Sequence, residues 1–187
     1  VRFIKDIVFR PYPRRIKAVG FKIFYNQARE TDWSGVWEYL KADPSIKIIH
    51  LQRRNILKSH LSNTIASQQK RFLERRSFLN KSSAPIGFTP IDLSYESCLR
   101  AFEATVRNRK NATEFFKDHQ IKDVVYEDFV RNWEATLQSL QEFLGTEPER
   151  LRTSLTKQSK QSIADTIRNY SELKPRFQDT PWSEFFA

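Results

Sequence analysis

The stretch "KIIHLQRRNILKSHLSNTIA", residues 47–66, changes its hydrophobic period partway along. It starts inside an apolar run, IKIIHL at 46–51, which is typical of a central strand of a parallel sheet. From Asn55 onward the period becomes helical, because apolar residues recur every four positions. These residues are Leu57, Leu61 and Ile65. The stretch therefore predicts a strand, a turn and a helix, with Arg53 and Arg54 at the turn.

Two arginines at the end of a strand suit the binding of an anion. In open α/β sheets, ligands bind beyond the carboxyl ends of the strands, where the next helix offers unpaired backbone N–H groups. A guanidinium adds a planar fork of donors that matches phosphate oxygens. Ser62 follows Arg54 by slightly more than two helical turns, so the two side chains are candidates to hold one phosphate. The spacing alone is equally compatible with surface ion pairs and a solvated serine.

Strand and helix patterns alternate along the chain. This alternation predicts an α/β fold with a mainly parallel sheet, and the length favours a single domain over residues 1–187. The predicted strands are 19–25, 46–51 and 121–129. The predicted helices are 33–40 capped by Thr31 or Asp32, the segment from Asn55, 94–116, 133–144 ended by Gly145, and 163–167. Thr146 and Glu149 are a candidate capping box, and the aromatic tail is expected to pack back on the domain.

The composition predicts a protein that attracts anions. The chain has 32 Lys and Arg against 22 Asp and Glu, for a formal charge of +10. Such a field attracts nucleic acid, acidic membrane surfaces and phosphorylated small molecules without choosing among them. One cysteine, no metal-ligand spacing and no long apolar segment predict a soluble, cytoplasmic protein without a bound metal or a membrane span.

Three segments resemble the sulfotransferases that use 3′-phosphoadenosine 5′-phosphosulfate (PAPS). The string "IIHLQRRNILKSHLS" is similar to the family's 3′-phosphate-binding strand, arginine and serine. "VVYEDFVRNWEATLQSLQEFLG" resembles its "YED" strand and the helix that ends in "FLG". "LTKQSKQSIADTIRNYSEL" is similar to the C-terminal segment of the bacterial carbohydrate enzymes of the nodulation-factor type. The order of the three matches is that of the family.

The resemblance implies a P-loop-like sulfotransferase fold, with PAPS as donor and 3′,5′-ADP as product. It implies that Arg54 and Ser62 bind the nucleotide, together with a closing loop of Lys157, Gln158 and Ser159. Arg53 is equally compatible with a nucleotide contact and with a salt bridge. The family's Ser/Thr/Gly-rich 5′-phosphosulfate loop does not occur in this sequence. With no methionine present either, we expect the first strand–loop–helix unit to lie upstream of Val1.

The acceptor implied by the resemblance is a hydroxyl-bearing molecule, in particular a carbohydrate. Candidate residues for its binding are Lys22, Tyr25, Gln27 and His60. No residue is assigned as catalytic, because His50 and His119 suit packed or helix-end positions and His60 suits either face of its helix.

Two alternatives remain at this stage. One is a basic nucleic-acid-binding module, with the arginines of 71–76 on its helix, although no nucleic-acid-binding motif accompanies the charge and no nucleic-acid partner is expected. The other is a non-catalytic relative of the sulfotransferases.

Overall fold

The computed structural model of the chain describes residues 1–30, 33, 35–68, 90–151 and 161–187. The strands are β1 (Ile48–Gln52) and β2 (Ile121–Val125). The helices are α1 (Gly35–Lys41), α2 (Ile56–Gln68), α3 (Tyr95–Phe115), α4 (Tyr126–Arg131), α5 (Trp133–Leu144), α6 (Ile163–Thr166) and α7 (Tyr170–Arg176). A π-helical turn at Ile4–Val8 and a 3₁₀ turn at Ser183–Phe186 lie near the chain ends.

The chain divides into two compact units. The first consists of Val1–Arg54 and Arg107–Ser154, and the second of Asn55–Val106 and Leu155–Ala187. The first contains β1 and β2, and the second contains α2 and the C-terminal helices. Among the described residues, no helix combines the length and the apolar character required to cross a bilayer.

Strands β1 and β2 pair in parallel, which confirms the α/β class and the parallel pairing. The register runs from Ile48 opposite Ile121 to Gln52 opposite Val125. Burial differs between the two faces of β1, since His50 is 8 % exposed whereas Leu51 is 53 % exposed. The apolar run therefore marks a strand, but among the described residues one face of this strand is exposed, unlike the central strand that the run is typical of.

The first unit has its own apolar core, in which α1 packs through its predicted helical stripe. The buried members are Ile4, Val36, Trp37, Leu40 and Phe116. The ring of Trp37 lies 6.0 Å from those of Phe115 and Phe116, at the end of α3. The predicted caps of α1, Thr31 and Asp32, lie outside the described residues.

The predicted strand over 19–25 is wrong. Residues 19–24 have no regular structure, and 25–28 form a turn. A strand needs a hydrogen-bonded neighbour, and the described residues provide none for this segment. The aromatic residues of this segment make side-chain contacts instead. The ring of Phe21 lies 5.9 Å from that of Phe9, and the ammonium of Lys22 lies over the ring of Phe24.

The predicted strand at 121–129 ends early. It stops at Val125, because Tyr126, Glu127 and Asp128 begin α4. Two carboxylates in the first turn of a helix interact favourably with its dipole, which explains the change. The "YED" segment is therefore the start of a helix in this chain.

Helix α5 agrees with its prediction at both ends. Gly145 closes it with φ of 78°, a left-handed conformation that glycine adopts without steric cost. The capping box predicted after it is wrong: Thr146 donates its hydroxyl to the carbonyl of Gln141, and the backbone N–H of Glu149 donates to the Gln141 side chain.

The second unit is built around aromatic rings. Phe102 of α3 is fully buried, with the rings of Phe177, Trp182 and Phe185 within 5.5 Å of its own. Helix α2 contributes Leu57 and Leu61 to the same core, as its four-residue period predicts. The C-terminal aromatic residues therefore do pack on this unit, and the predicted helix at 163–167 is confirmed as α6.

Candidate functional site

The ends of β1 and β2 form one polar edge in the first unit. Parallel register places the residues after Gln52 beside those after Val125. Arg53 and Arg54 follow the first strand, and Glu127 and Asp128 follow the second within α4. Two basic and two acidic side chains therefore meet at the carboxyl edge of the sheet.

Arg54 is held at this edge through both its backbone and its side chain. Its backbone N–H donates to Oε2 of Glu127 at 2.8 Å, and its Nη2 donates to Oδ2 of Asp128 at 2.7 Å. The side chain of Arg54 remains 55 % exposed. The ion pair therefore orients the guanidinium without removing it from solvent, as the surface ion-pair interpretation also expected.

Arg53 lies deeper than Arg54. Its Nε is 3.7 Å from Oε1 of Glu127, and its guanidinium lies over the ring of Tyr126 at 4.9 Å. The carbonyl of Arg53 accepts a hydrogen bond from Nη2 of Arg109. Both Nε of Arg53 and Oε1 of Glu127 are buried without a hydrogen-bond partner in the described part of the chain. Of the two alternatives that the sequence left open for Arg53, the salt bridge is present, and Glu127 contacts both arginines.

The charges at this edge favour an anion. Arg53 and Arg54 pair with the carboxylates of Glu127 and Asp128, and Arg109 bonds the Arg53 carbonyl, so the five groups have a formal charge of 3 − 2 = +1. A guanidinium carries several N–H donors in a planar fork, and the bond to Asp128 uses one nitrogen of Arg54. The described residues contain no cluster of His, Cys, Asp and Glu suited to a metal ion.

A second polar cluster lies along the strands of the same unit. The Tyr25 hydroxyl is 2.6 Å from Nε2 of His50, and Nδ1 of His50 is 2.9 Å from Oδ1 of Asp123. The Gln52 amide donates to the same oxygen of Asp123 at 2.7 Å. His50 and Asp123 are direct partners in the parallel register, which fixes this pairing. His50 is therefore packed and hydrogen-bonded, as predicted.

The pKa of Tyr25 is raised above its ordinary value. Burial of the phenol is the main cause, because it disfavours the phenolate. The positive charge of Arg109 opposes this shift, and the carboxylate of Asp123 adds to it. The hydroxyl of Tyr25 therefore keeps its proton and is a hydrogen-bond donor.

The other acceptor-binding candidates of the first unit make local contacts. The ammonium of Lys22 lies 4.8 Å from the centre of the Phe24 ring. The side-chain oxygen of Gln27 accepts a hydrogen bond of 2.9 Å from the backbone N–H of Phe24. Both side chains belong to exposed residues, so each is accessible to a ligand.

In the second unit, Asn55 and Ser62 are bonded locally. The side-chain oxygen of Asn55 accepts from the backbone N–H of Lys58 and caps α2, while its amide donates to the carbonyl of Phe185. The Ser62 hydroxyl is exposed and donates to the carbonyl of Lys58 one turn earlier. The hydroxyl oxygen of Ser62 keeps its acceptor capacity, and the hydroxyl can rotate towards a ligand.

His60 is half-buried on α2, with Nε2 at 3.4 Å from the hydroxyl of Ser97. Its burial lowers the pKa of the imidazole below the ordinary 6.5. Lys157, Gln158 and Ser159, predicted to close over the nucleotide, lie outside the described residues.

Sequence reasoning did not single out Glu127, Asp128, Asp123 or Arg109. The "YED" match contained the first two, and the parallel pairing of 46–51 with 121–125 would have placed them beside the arginines. Nothing in the local pattern marks Arg109, which reaches Arg53 from across 56 positions of sequence.

Comparisons with known proteins agree with these motifs. A family model described as "Sulfotransferase family" matches residues 34–150. The chain is 28 % identical to Nodulation protein H of Rhizobium meliloti (strain 1021) over 191 residues, which cover 99 % of this chain and 74 % of that protein. It is 25 % identical to Nodulation protein H of Rhizobium tropici over 190 residues, covering 99 % and 73 % of the two chains. No solved structure matches the chain.

Proposed function

This chain belongs to the sulfotransferase family, and on that premise we propose that it transfers a sulfuryl group from PAPS to a hydroxyl of a carbohydrate. The nucleotide product is then 3′,5′-ADP. The formal charge of +10 supports a donor that carries several negative charges, because a basic protein raises the local concentration of anions.

The observation that carries the proposal is the exposed guanidinium of Arg54 at the carboxyl end of β1. In α/β sheets this is where ligands bind, and a guanidinium stays charged in any environment. The bonds of Arg54 to Glu127 and Asp128 support a pre-oriented group, which loses less entropy when it binds a phosphate. Arg54 is proposed to bind the 3′-phosphate of the nucleotide.

Ser62 is proposed as a further nucleotide-binding residue. Its support is the sequence pattern, a serine eight residues after the arginine, and the exposure of its hydroxyl on α2. Lys157, Gln158 and Ser159 are proposed to complete the nucleotide site, and this part of the proposal rests on the sequence resemblance. The same resemblance supports one P-loop-like sulfotransferase domain over residues 1–187.

The acceptor side is proposed to involve Lys22, Tyr25 and Gln27 on the segment that precedes α1, with His60 as a further candidate. Ammonium, phenol and amide groups donate and accept hydrogen bonds, which suits the many hydroxyls of a sugar. The single cysteine, which is buried, suits a reducing compartment such as the cytoplasm. These assignments rest on residue chemistry.

Transfer of radiolabelled sulfuryl groups tests the proposal. The intact protein is incubated with ³⁵S-labelled PAPS and a panel of mono- and disaccharides, and labelled products are separated from the donor. We expect a labelled saccharide together with an equal amount of 3′,5′-ADP. Adenosine 5′-phosphosulfate, which lacks the 3′-phosphate, is the matched donor control and is expected to react at least about tenfold more slowly, the loss for about 1.4 kcal/mol of binding. Equal rates with the two donors, or no labelled product, would contradict the proposal.

A further inference from the structure

The bonds made by His50 are those of a base that is oriented by a carboxylate. In the tautomer with its hydrogen on Nδ1, His50 donates to Oδ1 of Asp123 at 2.9 Å, and the Gln52 amide nitrogen lies 3.2 Å from the same Nδ1. Nε2 then has a lone pair, and the hydroxyl of Tyr25 donates to it at 2.6 Å. We propose that Tyr25, His50 and Asp123 form the proton-accepting relay of the sulfuryl transfer, an inference that rests on the proposed function.

Accessibility decides the role of each group. His50 is 8 % exposed, so an acceptor molecule does not reach its ring directly. Tyr25 is half-buried, with its hydroxyl end bonded to Nε2 and the two rings edge to face at 5.9 Å. Tyr25 is therefore the catalytic residue that contacts the acceptor hydroxyl. His50 takes the proton through it, and Asp123 is a positioning residue.

The surrounding contacts fix Tyr25 in place. Trp37 of α1 donates its indole N–H to the carbonyl of Gln27 at 2.8 Å, which anchors the turn at 25–28. Arg29 donates to the carbonyl of Tyr25 at 3.0 Å and stacks over the Trp37 ring at 3.9 Å. Catalytic groups need this kind of support, since a displaced phenol would break a proton path built on one hydrogen bond.

Burial keeps the phenol of the relay protonated. It raises the pKa of Tyr25, the positive charge of Arg109 opposes this rise, and the carboxylate of Asp123 adds to it. A protonated Tyr25 passes a proton on only while it receives another. It therefore acts as a conduit between the acceptor and His50, and the imidazolium that forms is stabilised by the carboxylate of Asp123.

The transfer exchanges one bond to sulfur for another. The acceptor oxygen forms a bond to the sulfur of PAPS, and the bond from that sulfur to the bridging oxygen of the nucleotide breaks, with its electron pair going to 3′,5′-ADP. The acceptor proton passes to the Tyr25 oxygen while the Tyr25 proton passes to Nε2 of His50. After the products leave, Nε2 of His50 returns its proton to the Tyr25 oxygen while the Tyr25 hydroxyl releases its own proton to solvent.

Steady-state kinetics of Tyr25→Phe and His50→Gln in the intact protein test the relay. With PAPS and the most reactive sugar of the panel, we expect kcat to fall by about 10²-fold or more in each variant, the range for general base catalysis. The KM for PAPS is expected to change little, because the lost interaction acts in the transition state and not in donor binding. The double variant is expected to be no slower than the slower single variant.

Two control variants separate chemistry from folding. Tyr12→Phe removes a hydroxyl that is also hydrogen-bonded, to the carbonyls of Ile7 and Val8, and His119→Gln replaces another histidine that is 8 % exposed. Both are expected to retain the wild-type kcat. Loss of kcat in the controls equal to that in the relay variants would overturn the proposal.

The remaining outcomes are distinct. No transfer by the wild type overturns the proposed function and the relay with it, whereas wild-type kcat in folded Tyr25→Phe overturns the relay alone. Nitrogen NMR of the histidine rings in the wild-type protein needs no variant. It is expected to find the hydrogen of neutral His50 on Nδ1, and a hydrogen on Nε2 instead would overturn the relay.

Discussion

The backbone N–H of Arg54 donates a hydrogen bond of 2.8 Å to Oε2 of Glu127, which joins the end of β1 to the first turn of α4. The other carboxylate oxygen faces Nε of Arg53 at 3.7 Å. Glu127 thus holds the backbone of Arg54 and balances the charge of Arg53. Glu127 of the "YED" segment therefore contributes to the position of both arginines at this edge of the sheet.

Replacement of Glu127 is expected to destabilise the first unit. Glu127→Ala leaves the backbone N–H of Arg54 without its acceptor and the half-buried guanidinium of Arg53 without its counter-ion, at a cost of about 1 to 3 kcal/mol. Glu127→Gln keeps an oxygen at the same place and is expected to lose less. Urea unfolding measures the free energy of unfolding of both variants. Equal losses in the two variants would contradict a stabilising role of the acceptor oxygen.

The aromatic core of the second unit is expected to depend on Phe102. Truncation of this fully buried ring by Phe102→Ala removes contacts with Phe177, Trp182 and Phe185, and costs about 3 to 5 kcal/mol. Val106→Ala on the same helix is the control, since Val106 is 44 % exposed and its truncation is expected to change stability by no more than about 0.5 kcal/mol. Thermal or urea unfolding measures both losses. A larger loss of stability in Val106→Ala than in Phe102→Ala would contradict the central place of Phe102 in this core.

Stability is expected to fall in mild acid because of His60. Its pKa in the folded protein is lowered by burial, whereas the unfolded chain has the ordinary value of 6.5. Below that value the unfolded state binds more protons, so the free energy of unfolding decreases as the pH falls and is constant with respect to His60 above it. Urea unfolding is measured at a series of pH values below and above 6.5. The free energy of unfolding is expected to depend less on pH in His60→Gln than in the wild type. An equal pH dependence in both proteins would exclude a contribution of His60.

The elements that the sequence predicted correctly are those with strong local signals. Helix α5 has a regular apolar stripe and ends at a glycine. Helix α2 is marked by the change to a four-residue spacing of apolar residues after a short apolar run. Each of these signals is complete within a dozen residues. They were sufficient for the α/β class with a mainly parallel sheet, whereas the family came from the resemblance of three sequence segments.

The errors fall where the outcome depends on distant partners. Residues 19–25 have strand-like composition, but a strand forms only when another strand is present to bond with it. Residues 126–128 continue an apolar strand in the sequence, yet their two carboxylates gain more at the start of a helix. The contacts of Arg54 with Glu127 and Asp128 span more than 70 positions and required the sheet register.

Binding of 3′,5′-ADP to Arg54→Ala is the most direct test of the central claim, that Arg54 binds the 3′-phosphate. Isothermal titration calorimetry on the intact protein is expected to show binding to the wild type and a loss of about 1.5 to 3 kcal/mol in the variant, the value of hydrogen bonds to a charged group. Arg176→Ala is the matched control, because Arg176 is a similarly exposed arginine, 54 % against 55 %, paired with Glu96. Weaker binding in Arg54→Ala alone is the predicted result, and equal affinity of both variants and the wild type would contradict it.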